Sequence, residues 1–398
     1  MGSIDRFSGG TSTQVSLFGN YYPHFERAAN VTTCFSYFLS LEPDVGETVV
    51  FGNQDSEIPE FLKGKIDLKR IWKADSPVTL VKVYFALRKR RSKLIIFNIF
   101  LTSFGTSRLS NLLGLFIPIF LSLNRKTRVL TYMHNFLESQ NLTELGYRPN
   151  LATRRIVKQI ERILIKRTTA VATLPSISRK ISEVFGIRVE SGFVSFIDGA
   201  ISYLLRSKES DICGYAEKNP ILLIFGAWGP QKDVVNIIRL IDNIIFRNSV
   251  GISVIVSGHI NRNFKHISSD EIESSVSVSK RAFRFIWNPP EEEIYNIFNL
   301  ADAIILPYKA TGGYSGVLNL AAFYELDTLS YENEVLREQS ELLSYSVKFI
   351  DPNNQSGIES WISGIQKKKL SKISFEEKLK RARNDFHKVL LLVREEWS

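Results

Sequence analysis

Short apolar runs alternate with helix-length segments along most of this chain, and that alternation restricts its fold more than any other feature. Val15-Ser-Leu-Phe-Gly19, Glu47 to Phe51, Ser92-Lys-Leu-Ile-Ile-Phe-Asn98, Arg128-Val-Leu-Thr-Tyr-Met133 and Thr169 to Leu174 have strand length and strand composition. Helical stretches run from about Ala28 to Leu41 and from Arg154 to Lys166, and a Leu/Phe/Ile-rich helix lies between the third and fourth runs. A short helix from Ile177 to Phe185 and a strand from Val189 to Phe196 close this half. Strands spaced by helices need crossover connections, which build a parallel sheet covered on both faces.

The polar segment Ser207 to Asn219 loses the apolar period and reads as a linker. A second alternation follows: Ile221-Leu-Leu-Ile-Phe-Gly226, a helix from Asp233 to about Phe246, and strands at Ile252 to Ser257 and Phe283 to Trp287. Pro290 to Asn299 forms a helix whose first turn carries Glu291, Glu292 and Glu293, complementing the helix dipole. Ala303-Ile-Ile-Leu-Pro307 is a strand leading through a loop to a helix near Gly316, and Val347 to Ile350 is the last strand. Phe375 to Trp397 is a charged amphipathic helix. The expected organisation is 1–206, linker 207–219, 220–374, and a terminal helix over 375–398. A chain of 398 residues is ample for two such domains.

The charge balance favours anionic partners: 51 Lys and Arg against 41 Asp and Glu, a net +10. Helix-turn-helix punctuation, zinc-ligand spacing and RNA-binding aromatic signatures are missing, so nucleic acid is not expected as a partner. Two cysteines far apart, Cys34 and Cys213, make no disulfide framework and fit a reducing compartment. The first residues lack the apolar core of a signal peptide, which points to the cytoplasm. Leu94 to Leu123 is the most hydrophobic region, but polar residues and Pro118 interrupt it, so it reads as a buried strand and helix.

In doubly wound sheets ligands bind at the carboxyl ends of the strands, and two such domains in tandem create a cleft between those edges. Three loops carry suitable residues. In Phe225-Gly-Ala-Trp-Gly-Pro-Gln-Lys232-Asp233, Gly226 and Gly229 admit a close ligand and Lys232 puts an ammonium near a helix start, an arrangement suited to phosphate. A glycine turn with a solvated lysine is the bland alternative. In Leu306-Pro-Tyr-Lys-Ala-Thr-Gly312-Gly313-Tyr314-Ser315-Gly316-Val317, a glycine-rich loop opens a helix. Its amides from Tyr314 to Val317 suit a diphosphate, while Ser315 is also a ready helix cap. In Thr131-Tyr-Met-His134-Asn135, His134 ends a strand facing the expected cleft, where an imidazole can orient a hydroxyl.

Other chemistries find no support. The chain has no G-x-S-x-G elbow, Walker loop or H-E-x-x-H, and Gly-Asn-Tyr-Tyr-Pro after the first strand is not a dinucleotide fingerprint. Without an Asp-x-Asp pair to hold a divalent ion, a diphosphate's charge falls to Lys232 and backbone amides.

Together these loops resemble the GT-B glycosyltransferases of the large group 1 retaining family, over about Val15 to Glu334. The strongest stretch is Arg284 to Ala321, R-F-I-W-N-P-P-E-E-E-I-Y-N-I-F-N-L-A-D-A-I-I-L-P-Y-K-A-T-G-G-Y-S-G-V-L-N-L-A. FGAWGPQKD is similar to the family's phosphate-lysine loop, TYMHN to its N-domain histidine strand, and SLFGNYYP to its opening strand and loop. The chain departs from the pattern in several places. Neither of the family's two glutamates, seven residues apart, is present around Gly312 to Leu320. The arginine before the lysine is replaced at Ala227 or Gly229, and the paired glycines of the first loop near Glu26-Arg27-Ala28. Glu325 and Asp327 stand for a later Gly and Pro.

The resemblance implies an α/β fold of two Rossmann-like domains facing across a cleft, with the C-terminal helix returning to the N-terminal domain. It implies transfer of a sugar from a nucleoside diphosphate sugar to a glycan or polyprenyl-linked acceptor, with retention and without metal or other cofactor. The donor phosphates would meet Gly226, Lys232 and Gly313 to Val317. The nucleoside would meet Ile286, Trp287, Asn288 and Glu293, the last at the ribose. The acceptor would pass Gly19, Asn20, Tyr21, Tyr22 and Asn135, with His134 and Lys232 as the catalytic pair. Arg88-Lys-Arg-Arg91 and the basic helix Arg154 to Arg167 suggest peripheral association with an anionic membrane at its cytoplasmic face. The alternatives are a non-catalytic binding or scaffold subunit of the same fold and a sugar-nucleotide epimerase.

Overall fold

The computed structural model of the chain describes residues 13–23, 27–99, 103–105, 107–139, 150–206, 219–260, 268–311, 313–367 and 374–394. The expected linker, apart from Asn219, lies outside them, as do Gly312, Cys213 and Glu26. The chain divides into two compact units. One comprises Met1–Met133, Gln159–Val171 and Leu390–Ser398, the other His134–Lys158 and Ala172–Val389.

The first sheet begins with β1 (Thr13–Phe18), α1 (Arg27–Leu39), β2 (Val45–Asn53), β3 (Asp67–Trp72), α2 (Pro77–Arg90), β4 (Leu94–Ile99), α3 (Arg108–Leu121) and β5 (Arg128–Met133). It continues through α4 (Leu151–Arg167), β6 (Thr169–Ala172), α5 (Pro175–Phe185) and β7 (Glu190–Ser191). The strand order is β3-β2-β1-β4-β5-β6-β7, with β1 parallel to both β2 and β4. Phe18, Val49, Phe51, Ile95, Phe97 and Val129 share one buried cluster with Leu80, Val83 and Leu87 of α2 and with Leu115 and Ile119 of α3. The Leu94 to Leu123 region is thus a buried strand and a core-packed helix, as its interruptions implied. Among the described residues no helix is long and apolar enough to cross a membrane.

The second series runs α6 (Ile197–Leu205), β8 (Ile221–Trp228), α7 (Val234–Asn248), β9 (Ser253–Ile260), α8 (Ser269–Ser274), β10 (Phe283–Trp287) and α9 (Glu291–Leu300). It ends with β11 (Ala303–Leu306), α10 (Gly316–Tyr324), β12 (Asp327–Tyr331), α11 (Glu334–Leu343), β13 (Lys348–Ile350), α12 (Gln355–Ser363) and α13 (Phe375–Arg394). All pairings in the order β10-β9-β8-β11-β12-β13 are parallel. Successive side chains of a strand leave on opposite faces. Leu222 and Ile224 accordingly enter a core with α7 and α12, whereas Leu223 and Phe225 enter one with α9 and α10. Counted from β8 the order is 3-2-1-4-5-6, which reverses between β8 and β11, and that reversal is where open parallel sheets bind ligands.

Two expectations need correction. Val189 to Phe196 is not one strand: only Glu190–Ser191 pairs, and Phe196 turns into the left-handed region with φ 58° to start α6. Asp67–Trp72 and Asp327–Tyr331 are strands that the apolar pattern did not announce, because polar residues occupy half or more of each.

Candidate functional site

The loops after β8 and β11 are laced together at the reversal of strand order. Lys232 and Tyr308 form an antiparallel backbone bridge. The Asp233 amide donates to the Pro307 carbonyl at 2.8 Å, and the Lys309 amide to the Gln231 carbonyl at 2.9 Å. A turn closed by the Lys232 amide on the Gly229 carbonyl, 3.0 Å, precedes α7. These bonds fix where the lysine side chain begins.

Its ammonium lies 4.4 Å from the Tyr308 ring centroid and 5.4 Å from that of Trp228. A Cβ on Gly226 would come within 2.4 Å of Nζ, so the glycine, at φ 152°, leaves the space the ammonium uses. Among the described residues Nζ has no hydrogen-bond or ion-pair partner. The neighbouring cation differs: Lys309 Nζ pairs with Asp233 at 2.6 Å. Although part of the Lys232 side chain remains accessible, desolvation pushes its pKa from the ordinary 10.5 down to about 7. Two aromatic faces recover only about 0.5–2 kcal/mol each for a cation. A desolvated ammonium without a counter-ion among the described residues is chemically suited to an anionic partner.

Gly258, opposite Gly226 in register, completes this strand end. Its φ is 139°, and an added Cβ would fall 1.9 Å from the Gly226 carbonyl oxygen. Two facing glycines allow β8 and β9 to approach where β8 turns out toward Lys232.

The second predicted loop is held from several sides. Gly313 has φ 135°, and a Cβ there would sit 2.8 Å from the His134 carbonyl oxygen. His134 belongs to the same unit, is buried, and meets Tyr314 edge to face with centroids 6.5 Å apart. The Tyr314 hydroxyl donates to Asp198 Oδ2 at 2.9 Å. Ser315 caps α10, its hydroxyl accepting from the Leu318 amide, and its own amide donates to Gln339 Oε1 at 2.7 Å. Gln339 returns a second bond to the Ser315 carbonyl, also 2.7 Å. Among the described residues of the loop, the Gly316 and Val317 amides are donors that the helix leaves without an intrahelical partner. The Asp198 carboxylate borders them, 2.9 Å from the position of a Gly316 Cβ.

The predicted nucleoside residues separate. Ile286 packs toward α9 and α10, whereas Trp287 lies on the α7 side, its indole donating to Glu273 at 2.6 Å. Adjacent strand residues face opposite ways, so these two side chains do not line one pocket. Asn288 is left-handed at φ 51° and its amide donates to the Gly258 carbonyl at 2.8 Å, which ties it to the glycine pair. Glu293 sits partly exposed in the first turn of α9, with Glu291 the buried acid of that turn.

In the first unit, Gly19 follows β1, where a Cβ would meet Thr32 Oγ1 at 2.9 Å. Tyr21 is fully buried with its hydroxyl 3.0 Å from Ser36, and burial raises its phenol pKa. Tyr22 is partly exposed, its amide donating to Thr33, and Asn20 is buried. Asn135, beside His134 in the second unit, is partly exposed.

Three neighbours of the candidate site were missed in the sequence. Asp198 and Gln339 flank the α10 start, and Asn319 Oδ1 accepts from the Asp198 amide at 3.0 Å. The lone Asn319 inside Gly-Val-Leu-Asn-Leu-Ala-Ala was a visible signal of a buried polar partner. Asp198 and Gln339 carried none. Among the described residues no group of three or more His, Cys, Asp or Glu side chains is placed to hold a metal.

No known protein-family profile matches the chain. No curated protein matches it by sequence. Solved structures do share its fold. Sucrose-phosphate synthase from Thermosynechococcus elongatus superposes with a TM-score of 0.61 at 10% identity, covering 96% of this chain and 97% of its own. A glycosyltransferase from Rickettsia africae gives 0.59 at 12%, covering 97% of each chain. UDP-GlcNAc 2-epimerase from Neisseria meningitidis, bound to UDP-GlcNAc, gives 0.60 at 13%, covering 95% and 99%. The two Rossmann-like units are thus the GT-B fold these proteins have in common, a fold that serves both transfer and epimerisation.

Proposed function

We propose that the protein binds a nucleoside diphosphate sugar in its second unit and transfers the sugar to a glycan or lipid-linked acceptor. The observation that carries this is the ammonium of Lys232, without a counter-ion among the described residues and held by Gly226, Trp228 and Tyr308 where the strand order reverses. A pyrophosphate supplies what that group lacks. The open amides of Gly316 and Val317 are the second set of donors at the same sheet edge.

In this reading the leaving diphosphate is stabilised by one ammonium and helix-start amides, and no metal is required. Removing a single such donor costs about 3–4 kcal/mol of barrier stabilisation in comparable sites. The nucleoside lies along the Gly258–Asn288 contact, with Glu293 toward the ribose. His134, steadied against Tyr314, orients the acceptor hydroxyl. Retention of configuration follows from the family resemblance alone.

The bound UDP-sugar of the epimerase sharing this fold favours a second reading, in which the donor is rearranged and released. The lack of the family's two glutamates around Gly312 to Leu320 favours a third, a subunit that binds without turning over. One experiment separates them. The protein is incubated with UDP- and GDP-sugars, with and without acceptor glycans or polyprenyl phosphates, and products are identified by mass spectrometry and NMR. Transfer yields free nucleotide and an extended acceptor only when acceptor is present. A new sugar nucleotide formed without acceptor selects the epimerase, and retention of intact donor throughout selects the binding subunit.

A further inference from the structure

From Ser76 to Leu137 the chain contains no Asp or Glu, yet Lys82, Arg88, Lys89, Arg90, Arg91, Lys93, Arg108, Arg125, Lys126 and Arg128 all fall within it. This stretch holds α2 and α3, which pack side by side in the first unit. Both helices bury one face in the same core, through Leu80, Val83 and Leu87 and through Leu115 and Ile119. Their other faces are unusual for a surface of such charge.

Along α2 the exposed positions are Val78, Val81, Lys82, Phe85, Arg88 and Lys89, spaced at three and four residues and so forming one stripe. Phe85 is 59% exposed. On α3, Leu109 and Phe120 are exposed and Phe116 half-buried, and Leu123 is exposed just beyond the helix. The stripes join through aromatic contacts: Tyr84 meets Phe120 edge to face at 6.2 Å, and Phe116 stacks on Phe120 at 5.8 Å. Two right-handed crossovers make α2 and α3 run the same way. Phe85 and Phe120 therefore lie toward the end where Arg88, Lys89, Arg91, Arg125 and Lys126 emerge. Arg90 stands apart, committed to Glu47 at 2.6 Å.

We propose that this face docks on an anionic lipid leaflet. Apolar side chains at the headgroup boundary, ringed by cations and with no acid in the segment, match the chemistry of such a surface. The helices lie on the membrane and do not cross it: α3 has 14 residues and contains Pro118, and at 1.5 Å per residue it spans about 21 Å against a hydrocarbon core of about 30 Å. The surface belongs to the first unit and does not depend on what the second unit binds.

The test is co-sedimentation of the full chain with vesicles of phosphatidylcholine alone or mixed with phosphatidylglycerol, at low and high salt. The wild type is expected to bind the mixed vesicles and leave a salt-resistant fraction bound. Arg88→Ser with Lys89→Ser weakens partitioning about 25-fold, roughly fivefold per charge. Phe85→Ser with Phe120→Ser abolishes the salt-resistant fraction. Unfolding midpoints and nucleotide-sugar binding are measured on both variants, and unchanged values tie the loss to the surface alone. Equal binding to both vesicle types overturns the proposal, as does indifference to both substitution pairs. It is also overturned if the wild type is a dimer that the Phe pair dissociates while vesicles bind neither form, because the occupant is then a second copy of this chain.

Discussion

The Lys232 ammonium lies over the Tyr308 ring, 4.4 Å from its centroid, and the same two residues are joined by a backbone bridge between the loops after β8 and β11. The bridge locks the lysine to its aromatic neighbour, and Gly226 leaves room for Nζ. The charge is thereby held in one place, at the cost of desolvating it. Preorganised charge of this kind is what transfer of a phosphate-linked group draws on.

Desolvation sets the sign of the pH dependence. The Lys232 pKa falls from 10.5 to about 7 in the folded chain. Between these values the unfolded chain binds more protons, so this group makes stability rise with pH across that window. A bound pyrophosphate holds the proton on, so affinity for a nucleoside diphosphate is expected to be full below about pH 7 and to decline above it. Calorimetry at pH 8 in buffers of different ionisation enthalpy should show proton uptake on binding. Lys232→Arg, whose guanidinium does not titrate in this range, should remove that uptake.

Gly258→Ala should damage the second unit more than an ordinary surface change. The new Cβ would fall 1.9 Å from the Gly226 carbonyl oxygen, at a φ of 139° that side chains rarely adopt. Backbone strain and overpacking each cost about 1–3 kcal/mol. Denaturant unfolding should show a loss on the order of 3 kcal/mol, and a loss within experimental error would mean that β8 and β9 are farther apart than described.

Asp198→Asn removes the carboxylate beside the α10 start while keeping an acceptor for the Tyr314 hydroxyl. If phosphates approach the Gly316 and Val317 amides, a like charge about 5 Å away opposes them by roughly 0.8 kcal/mol in water-like surroundings. The variant should bind nucleoside diphosphate about fourfold more tightly. Unchanged affinity would place the phosphates away from α10.

Much of the architecture was legible because burial on both faces leaves continuous apolar runs: β4, β5, β8 and β11 were all readable, and the Ser315 cap was one of two readings offered. β3 and β12 were not, since Asp67-Leu-Lys-Arg-Ile-Trp and Asp327-Thr-Leu-Ser-Tyr carry too many polar residues to stand out. α6 was missed for a tertiary reason. Its opening amides, from Asp198 and Gly199, are satisfied by Asn319, more than a hundred residues away. The site follows the same division. Lys232 and the glycines announce themselves by composition, whereas Asp198 and Gln339 join the α10 start only through folding. Ile286 and Trp287 looked like one subsite in the sequence because adjacency along a strand hides the alternation of faces.

The most direct measurement is calorimetric titration of the wild type and Lys232→Ala with a panel of UDP- and GDP-sugars at a pH below 7. At least one sugar nucleotide should bind the wild type, and the substitution should weaken it by about 1.5–3 kcal/mol, roughly 10- to 150-fold, as expected for a lost hydrogen bond to a charged group. Fold stability should not fall, because the ammonium has no protein counter-ion among the described residues. Equal affinity of the two proteins for every ligand that binds would contradict the assignment of the phosphates to Lys232.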